Sequence, residues 1–305
     1  MGMSIREWIR ELEIGGTPTF SFSSVRRFFP NIAEQSIKND LFRLSTQKII
    51  VPVYRGFYVI MPPQYAAKGI IPPIYYIDQL MSYLDKPYYI SLLNAAELLG
   101  SAHQRPQRFS VTTILPKSSV SPTKNNLLVW NYRNKMPSEF LLTRNSETGT
   151  ICYSNAELTA VDLVQYEQHI GGLSRAATIL EELSELIDFS KISESLFAYT
   201  SLAAIQRLGF ILDVVLQEEQ RANDLYDLLC KYTRTFKYVF LSTRHSADVQ
   251  EKNTRWKIKI NTNIENIQII SGAQQGIDIV CKGLINYSDV VFVEEPTYNG
   301  ALEVF

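Results

Sequence analysis

One stretch of this 305-residue chain, residues 20–61, restricts its fold more than any other part. Apolar residues recur there at helical spacing on both sides of Pro30, and two short apolar runs follow at 49–53 and 57–61. Helical spacing predicts amphipathic helices, and short runs rich in β-branched and aromatic residues predict strands. The stretch therefore predicts two helices joined by a tight turn and followed by a hairpin.

Two further features complete this pattern. Residues 5–12 follow helical spacing up to Gly15, and a second helix begins after Ser21, whose hydroxyl can cap it. The residues that we expect this second helix to bury are Val25, Phe28 and Phe29. Three helices and a hairpin are typical of a winged helix-turn-helix, a fold that places one helix in a DNA groove.

The third helix has a buried face and an exposed face. Ile37, Leu41 and Leu44 repeat at i, i+4 and i+7 and must face the core. Four side chains lie roughly opposite and could read bases: Gln35, Asn39, Arg43 and Thr46. Amides can pair with adenine and guanidinium groups with guanine, and each such pair discriminates bases by about 1–3 kcal/mol. Two local misfits are Ala33, a poor cap, and Phe42, which points toward the reading face.

The remaining cations of this region suit the phosphate backbone. We expect Arg55 at the hairpin tip, beside Gly56, to reach a minor groove or a phosphate. The full set of predicted DNA contacts is Arg26, Arg27, Gln35, Ser36, Lys38, Asn39, Arg43, Thr46, Lys48 and Arg55. Each of them could equally be an ordinary solvated residue, and some winged helices bind only proteins.

The charge distribution favours the same region. Residues 1–61 contain eight Lys or Arg against five acidic residues, whereas the rest of the chain contains 22 against 26. The basic surplus thus lies where the fold would meet phosphate, although ordinary surface composition could also produce it.

For the whole chain we predict a mixed α+β class. A winged helix-turn-helix domain (1–63) is followed by a larger α/β domain. Prolines at 62–63 and 72–73 bracket a linker at 64–73, the second domain spans 74–265, and residues 266–305 form an extension. The predicted helices are 77–84, 90–99, 156–169, 173–187, 191–207 and 218–232. The predicted strands are 109–115, 127–132, 139–143, 150–153 and 255–260.

No coherent active site is visible in the sequence. Cysteines at 152, 230 and 281 and histidines at 103, 169 and 245 are too scattered for a metal site or a disulfide framework, and nucleotide-binding motifs are absent. We therefore expect no catalytic residues, metal or cofactor. Two polar groups stay open as recognition surfaces or as structural residues: Tyr88, Tyr89, His103, Gln104, Arg105 and Gln107, and the pair Lys257 and Lys259.

Several separated motifs, in order, resemble the AbiEi family of antitoxins. They lie at 55–60, 71–81, 87–107, 157–164, 170–177, 206–213 and 255–261. The resemblance implies a type IV toxin–antitoxin system of the AbiE phage-resistance kind, in which the winged helix represses its own operon. It further implies that the C-terminal domain opposes a nucleotidyltransferase toxin without a stable complex. Residues after 266 depart from the family, and Glu294-Glu295 there could modify the choice of partner.

The leading hypothesis is a cytoplasmic, non-enzymatic autorepressor and antitoxin that binds inverted repeats in double-stranded DNA at its own promoter. No membrane partner is expected, and the oligomeric state stays open. A rival hypothesis is a nuclease-like or nucleotidyl-transferring enzyme whose winged helix delivers the substrate. Another is a protein-interaction module that never binds DNA.

Overall fold

The computed structural model describes residues 3–101, 106–117, 127–242, 249 and 251–264, all within one compact unit, Met1–Ile264. Its N-terminal elements are α1 (Ile5–Ile14), β1 (Thr19–Ser21), α2 (Phe22–Phe28), α3 (Glu34–Thr46), β2 (Ile50–Tyr54) and β3 (Phe57–Ile60). The three strands form an antiparallel sheet in the order β1-β3-β2. The three helices and the hairpin follow one another in the order that the sequence analysis predicts for this region.

Side-chain caps define where the first two helices begin. The Ser4 hydroxyl accepts from the Glu7 N–H, and the Glu7 carboxylate accepts from the Ser4 N–H at 2.7 Å. Ser21 caps α2 by accepting from the N–H of Ser24 at 3.1 Å, as the sequence predicts. Strand β1, which ends at this cap, was not predicted because three residues give no readable alternation.

The spacing of α3 correctly predicts the core of this region. Ile37, Leu41 and Leu44 are 0%, 1% and 2% exposed and pack with residues of α1, α2 and the sheet. The prediction that Phe28 is buried was wrong, since its side chain is 51% exposed. Helix α2 ends at Phe28, and its ring lies beside Trp8 with the centroids 5.7 Å apart while Phe29 enters the core.

A five-stranded sheet in the order β6-β5-β4-β8-β7 forms the centre of the second region. Its strands are β4 (Tyr88–Ile90), β5 (Phe109–Ile114), β6 (Leu128–Arg133), β7 (Leu141–Ser146) and β8 (Gly149–Ser154). Strand pairs β5–β6 and β4–β8 are parallel, and pairs β4–β5 and β7–β8 are antiparallel. This sheet combined with helices confirms the mixed α+β class.

Helices cover this sheet and extend beyond it. They are α4 (Pro63–Ala66), α5 (Ile77–Tyr83), α6 (Leu92–Leu99), α7 (Ala156–Gln165), α8 (Glu167–Ile170), α9 (Leu173–Leu183), α10 (Leu202–Phe210) and α11 (Glu219–Tyr232). The predicted helix 90–99 was wrong at its start, because residues 88–90 are a strand of the sheet. Its predicted end is correct, since Gly100 adopts the left-handed conformation with a φ of 89°.

Two other predictions were wrong in part. The segment 191–207 is not one helix, because 3-10 turns at Phe189–Lys191 and Glu194–Ala198 precede α10. The strand predicted at 255–260 begins only at Ile258, since the Asn253 side chain accepts from the Trp256 N–H at 2.8 Å and closes a turn. Trp256 is fully buried against Gly209, where a Cβ atom would lie 2.1 Å from its ring. A small sheet there contains β9 (Val239–Phe240), β10 (Glu251–Asn253) and β11 (Ile258–Ile260).

One apolar cluster joins the β2–β3 hairpin to the second region. Val53, Phe57 and Val59 pack there with residues of α5 and of the five-stranded sheet. Ile71, within the predicted linker, is buried in the same cluster. The domain limits stay a prediction, and the proposed extension at 266–305 lies outside the described residues. In the part of the chain that is described, the helices are too short or too polar to cross a membrane.

Candidate nucleic-acid interface

The ten predicted DNA contacts all have exposed side chains. Five of them, Gln35, Ser36, Asn39, Arg43 and Thr46, lie on α3 away from its buried stripe. Lys38 flanks that face, and Arg26 and Arg27 lie in the last turn of α2. Lys48 follows α3, and Arg55 lies at the tip of the hairpin. The fold therefore leaves this surface open, and whether it contacts DNA stays a prediction.

Two amides on the exposed face of α3 already bond to each other. Gln35 Nε2 donates to Asn39 Oδ1 at 3.1 Å, one helical turn along. The Asn39 NH2 group remains available as a donor, whereas its Oδ1 would have to leave Gln35 to accept from a base. Side-chain pairs at this spacing stabilise a helix only weakly, by about 0.2–0.5 kcal/mol. A base edge can therefore replace this bond at low cost.

Acidic residues pair with three of the predicted cations. Glu34 accepts from Arg26 at 3.1 Å and contacts Lys38 at 2.7 Å, while Arg43 donates to Asp40 at 3.0 Å. The hydrogen bond and charge of Lys38 lower the pKa of Glu34. These pairs are solvent-exposed and contribute little free energy, so each cation can exchange its acidic partner for a phosphate.

The other three cations of the set are not paired in this way. Arg27, Lys48 and Arg55 form no ion pair with any residue in the described ranges. Within those ranges no acidic side chain competes with a phosphate for their charge.

The tip of the wing, residues 54–57, is held on two sides. Gly56 has a φ of 73° and its carbonyl accepts from the N–H of Phe22 at 2.8 Å. The Tyr83 hydroxyl of α5 donates to the carbonyl of Arg55 at 3.3 Å. The backbone of the tip is thus fixed while the Arg55 side chain extends into solvent. Such a tip presents a charge in a defined place, which favours a phosphate or groove contact.

A buried polar cluster in the second region has a different character. Arg133 pairs with Asp162, and their side chains are 3% and 0% exposed. Arg133 Nε donates to the Tyr89 hydroxyl at 2.7 Å, and that hydroxyl donates to Asp162 at 2.8 Å. Arg133 also donates to the carbonyl of Tyr199. Burial raises the pKa of Tyr89 well above its usual value, so this hydroxyl stays protonated.

This cluster escaped the sequence analysis. Its sequence signal is Asp162 between apolar residues at 160–161 and 163–164. In the structure all residues from 156 to 164 are buried. The structure also decides whether Tyr88 and Tyr89 belong to a recognition surface or are structural residues. Tyr88 and Tyr89 are buried and bond to Asp78 and Asp162, so they do not form a recognition surface. Gln107 is exposed, and His103, Gln104 and Arg105 lie outside the described residues.

The other polar residues considered in the sequence analysis contact neighbouring protein groups. Lys257 and Lys259 are half-buried over the rings of Phe236 and Phe240, at 4.8 and 5.1 Å, which does not make a free basic stripe. His169 is exposed, and its Nδ1 lies 2.5 Å from Asn131 Oδ1. Within the described ranges, no three His, Cys, Asp or Glu side chains lie close enough to hold a metal ion.

Comparison with known proteins now adds to this geometry. Residues 89–214 match the family model described as the AbiEi antitoxin C-terminal domain. The chain carries an AbiEi antitoxin C-terminal domain. The buried Arg133–Asp162 cluster lies inside the AbiEi domain, whereas all ten predicted DNA contacts precede it. An antitoxin domain supports a role in a toxin–antitoxin system.

A solved structure is similar in fold. The crystal structure of RV2827C protein from Mycobacterium tuberculosis superposes with a TM-score of 0.58 and 16% sequence identity. The similarity covers 82% of this chain and 88% of that chain. At this identity the likeness concerns the fold alone. Among curated protein sequences, none matches the chain.

Proposed function

We propose that this protein is the DNA-binding autorepressor and antitoxin of a type IV toxin–antitoxin system of the AbiE phage-resistance kind. Its winged helix binds the promoter of its own operon, and its AbiEi domain opposes a nucleotidyltransferase toxin. We propose that both activities take place in the cytoplasm, because a repressor must reach the promoter there.

The observation that carries the DNA-binding part is the exposed face of α3. This helix buries Ile37, Leu41 and Leu44 and offers amide and guanidinium groups outward. Exposed cations on α2, after α3 and at the hairpin tip accompany this face. In winged helices such a face enters the major groove while flanking cations bind phosphates. The same chain carries an antitoxin domain, and antitoxins that repress their own operon need a DNA reader of this kind.

We propose that the operator contains inverted repeats, each bound by one winged helix. Two protomers bound to one operator double the number of contacts, which raises both affinity and specificity.

The proposed antitoxin activity is non-enzymatic. The matched family is one of antitoxins, and the polar cluster of the AbiEi domain is buried and internally satisfied, which suits a structural role. We propose that the domain counters the toxin without forming a stable complex with it.

A binding titration tests the first part. Purified full-length protein is titrated against labelled duplex from upstream of the gene and against a scrambled duplex of equal length. We expect selective binding that weakens steeply with salt. We expect selectivity to be lost when Gln35, Asn39 and Arg43 are replaced together by Ala.

The chain offers a matched control for this experiment. Gln220 on α11 also donates to a side chain one turn along, Asp224 Oδ1, at 3.0 Å on an exposed face. Gln220→Ala should leave binding unchanged. Equal binding to both duplexes, or an unaffected triple variant, would contradict the DNA-reading role. Cleavage or labelling of the duplex in the presence of Mg²⁺ would favour the enzymatic alternative.

A growth assay tests the second part. The full-length chain, expressed from an unrelated promoter, should rescue cells in which a nucleotidyltransferase encoded beside it arrests growth. The triple α3 variant should rescue equally, because antitoxin activity is assigned to the AbiEi domain. Absence of rescue by the wild-type chain would refute the antitoxin role, and co-purification of a stable complex would refute the type IV mode.

A further inference from the structure

Phe42 is the one exposed apolar residue of α3, with 75% of its surface accessible to solvent. Single exposed apolar residues are common on protein surfaces, so exposure alone says little. Its position is what matters. At about 100° per residue, Phe42 lies within roughly 60° of Asn39 and 40° of Thr46 around the helix axis. The ring therefore belongs to the same face as the two amides.

Among the described residues, the neighbours of Phe42 leave its ring exposed. The Thr46 hydroxyl donates to the carbonyl of Phe42 at 3.0 Å, and Gln35 and Asn39 bond to each other. The aromatic contacts of the N-terminal core connect Trp8, Phe20, Phe28 and Phe29 and do not include Phe42. The exposed face of α3 thus combines an apolar ring with adjacent amide groups.

In the major groove, the bases differ in their apolar surface as well as in their hydrogen-bonding groups. Thymine alone presents a methyl group there, and an apolar side chain such as Phe can pack against it. Asn and Gln amides suit the N6 and N7 atoms of adenine. An amide beside an apolar ring is therefore complementary to a stretch of A·T pairs.

We propose that Phe42 determines part of the operator specificity by packing its ring against the C5 methyl group of thymine. This inference rests on the proposed function, since it requires that α3 enters the major groove. Phe42, which is unexpected as an apolar residue on this face, then contacts a base. The bases that the centre of α3 recognises are A·T pairs.

The test compares two forms of the upstream duplex, one with thymine and one in which deoxyuridine replaces thymine throughout. Deoxyuridine pairs identically and lacks only the C5 methyl group. We expect the wild-type protein to bind the deoxyuridine duplex about fourfold more weakly for each methyl group contacted, as for one methyl-sized group removed from water. Phe42→Ala should bind both forms equally, and Phe42→Leu should restore a preference for thymine.

The variants separate this contact from other effects of the base change. Altered DNA shape would weaken wild type and Phe42→Ala alike, and that outcome overturns the inference, as does equal binding of both forms by wild type. Sedimentation tests whether Phe42 instead joins two copies of the chain. A variant that loses self-association while it keeps the thymine preference would overturn the inference as well. If even the thymine duplex is not preferred over a scrambled one, the proposed function itself fails.

Discussion

Two arginine–aspartate pairs in this molecule have the same chemistry and opposite surroundings. Arg43 and Asp40 on α3 are 3.0 Å apart, and their side chains are 68% and 40% exposed. Arg133 and Asp162, between β6 and α7, are 3% and 0% exposed. Burial opposes the charge of both groups and raises the pKa of Asp162, whereas the neighbouring Asp162 carboxylate raises the pKa of Arg133.

The comparison shows which polar groups are available for binding. An exposed ion pair contributes at most about 1 kcal/mol, so Arg43 can exchange Asp40 for a base or a phosphate. The buried pair cannot exchange partners, because a single buried charge left behind would be costly. The difference therefore supports the proposed role of α3 in recognition and a structural role for the Arg133–Asp162 pair.

The largest effect that this comparison predicts is on stability. Arg133→Ala should lower the free energy of unfolding by about 3–5 kcal/mol, because it leaves the buried Asp162 carboxylate without its opposite charge and with only the Tyr89 hydroxyl as a partner. Denaturant titration followed by circular dichroism measures this. Lys135→Ala, which removes an exposed cation two residues along, is the control and should change little. Equal stability of the two variants would contradict the structural role of the pair.

The loss in Arg133→Ala should depend on pH in a defined direction. Burial is the main influence on Asp162 and raises its pKa, and Arg133 is the main group that opposes it. Without Arg133 the folded-state pKa should lie above the unfolded value of about 3.9. The deficit should thus be complete above that raised pKa and shrink as the pH falls through it. A deficit that is constant down to about pH 4 would contradict this account.

A smaller effect is expected on recognition. Asn39→Ala should weaken binding to the operator duplex by about 1–3 kcal/mol and leave scrambled DNA unaffected, because it removes a base contact and no charge. Fluorescence anisotropy with both duplexes measures the difference. The same loss on both duplexes would assign Asn39 to the phosphate backbone instead.

The smallest effects should separate paired from unpaired cations. The affinity for DNA should fall with salt concentration, so the slope of log affinity against log salt is negative. Replacement of Arg27, Lys48 or Arg55 by Ala should each reduce the magnitude of this slope by about 1, because each of these cations is expected to bind a phosphate. Arg26→Ala should lower it less, since Arg26 shares Glu34 with Lys38. Glu34→Gln should increase the magnitude of the slope, because it removes the carboxylate that pairs with Arg26 and Lys38. Equal slopes for Arg26→Ala and Arg27→Ala would show that the exposed pairs do not restrain their cations.

The sequence predicted what depends on nearby residues. The buried stripe of α3, the Ser21 cap and the end of α6 at Gly100 all follow from residues within one or two turns. Strand β4 could not be predicted in this way. Its three residues are all buried, and the apolar pattern resumes after Ser91 in α6, so no alternation marks it as a strand. The Arg133–Asp162 pair joins residues 29 positions apart, and only the packing of α7 on the sheet brings them together.

The site shows the same division. Helical periodicity sufficed to identify the exposed face of α3, and the structure adds the hydrogen bonds and ion pairs within it. Glu34 is the informative case, since its pairing with residues on both α2 and α3 depends on the angle at which those helices meet. Periodicity gives the direction of each side chain and no information on that angle.

The hydrogen bond from Tyr83 to the carbonyl of Arg55, and the apolar cluster beneath it, have a consequence for protein engineering. A chimera that joins residues 1–63 of this chain to the remainder of a relative would leave Val53, Phe57 and Val59 facing a foreign surface. Transfer of α5 together with the wing would keep its supporting contacts. We therefore expect that the proposed operator preference is exchanged between relatives more safely by substitutions on α3 than by grafting the whole N-terminal segment.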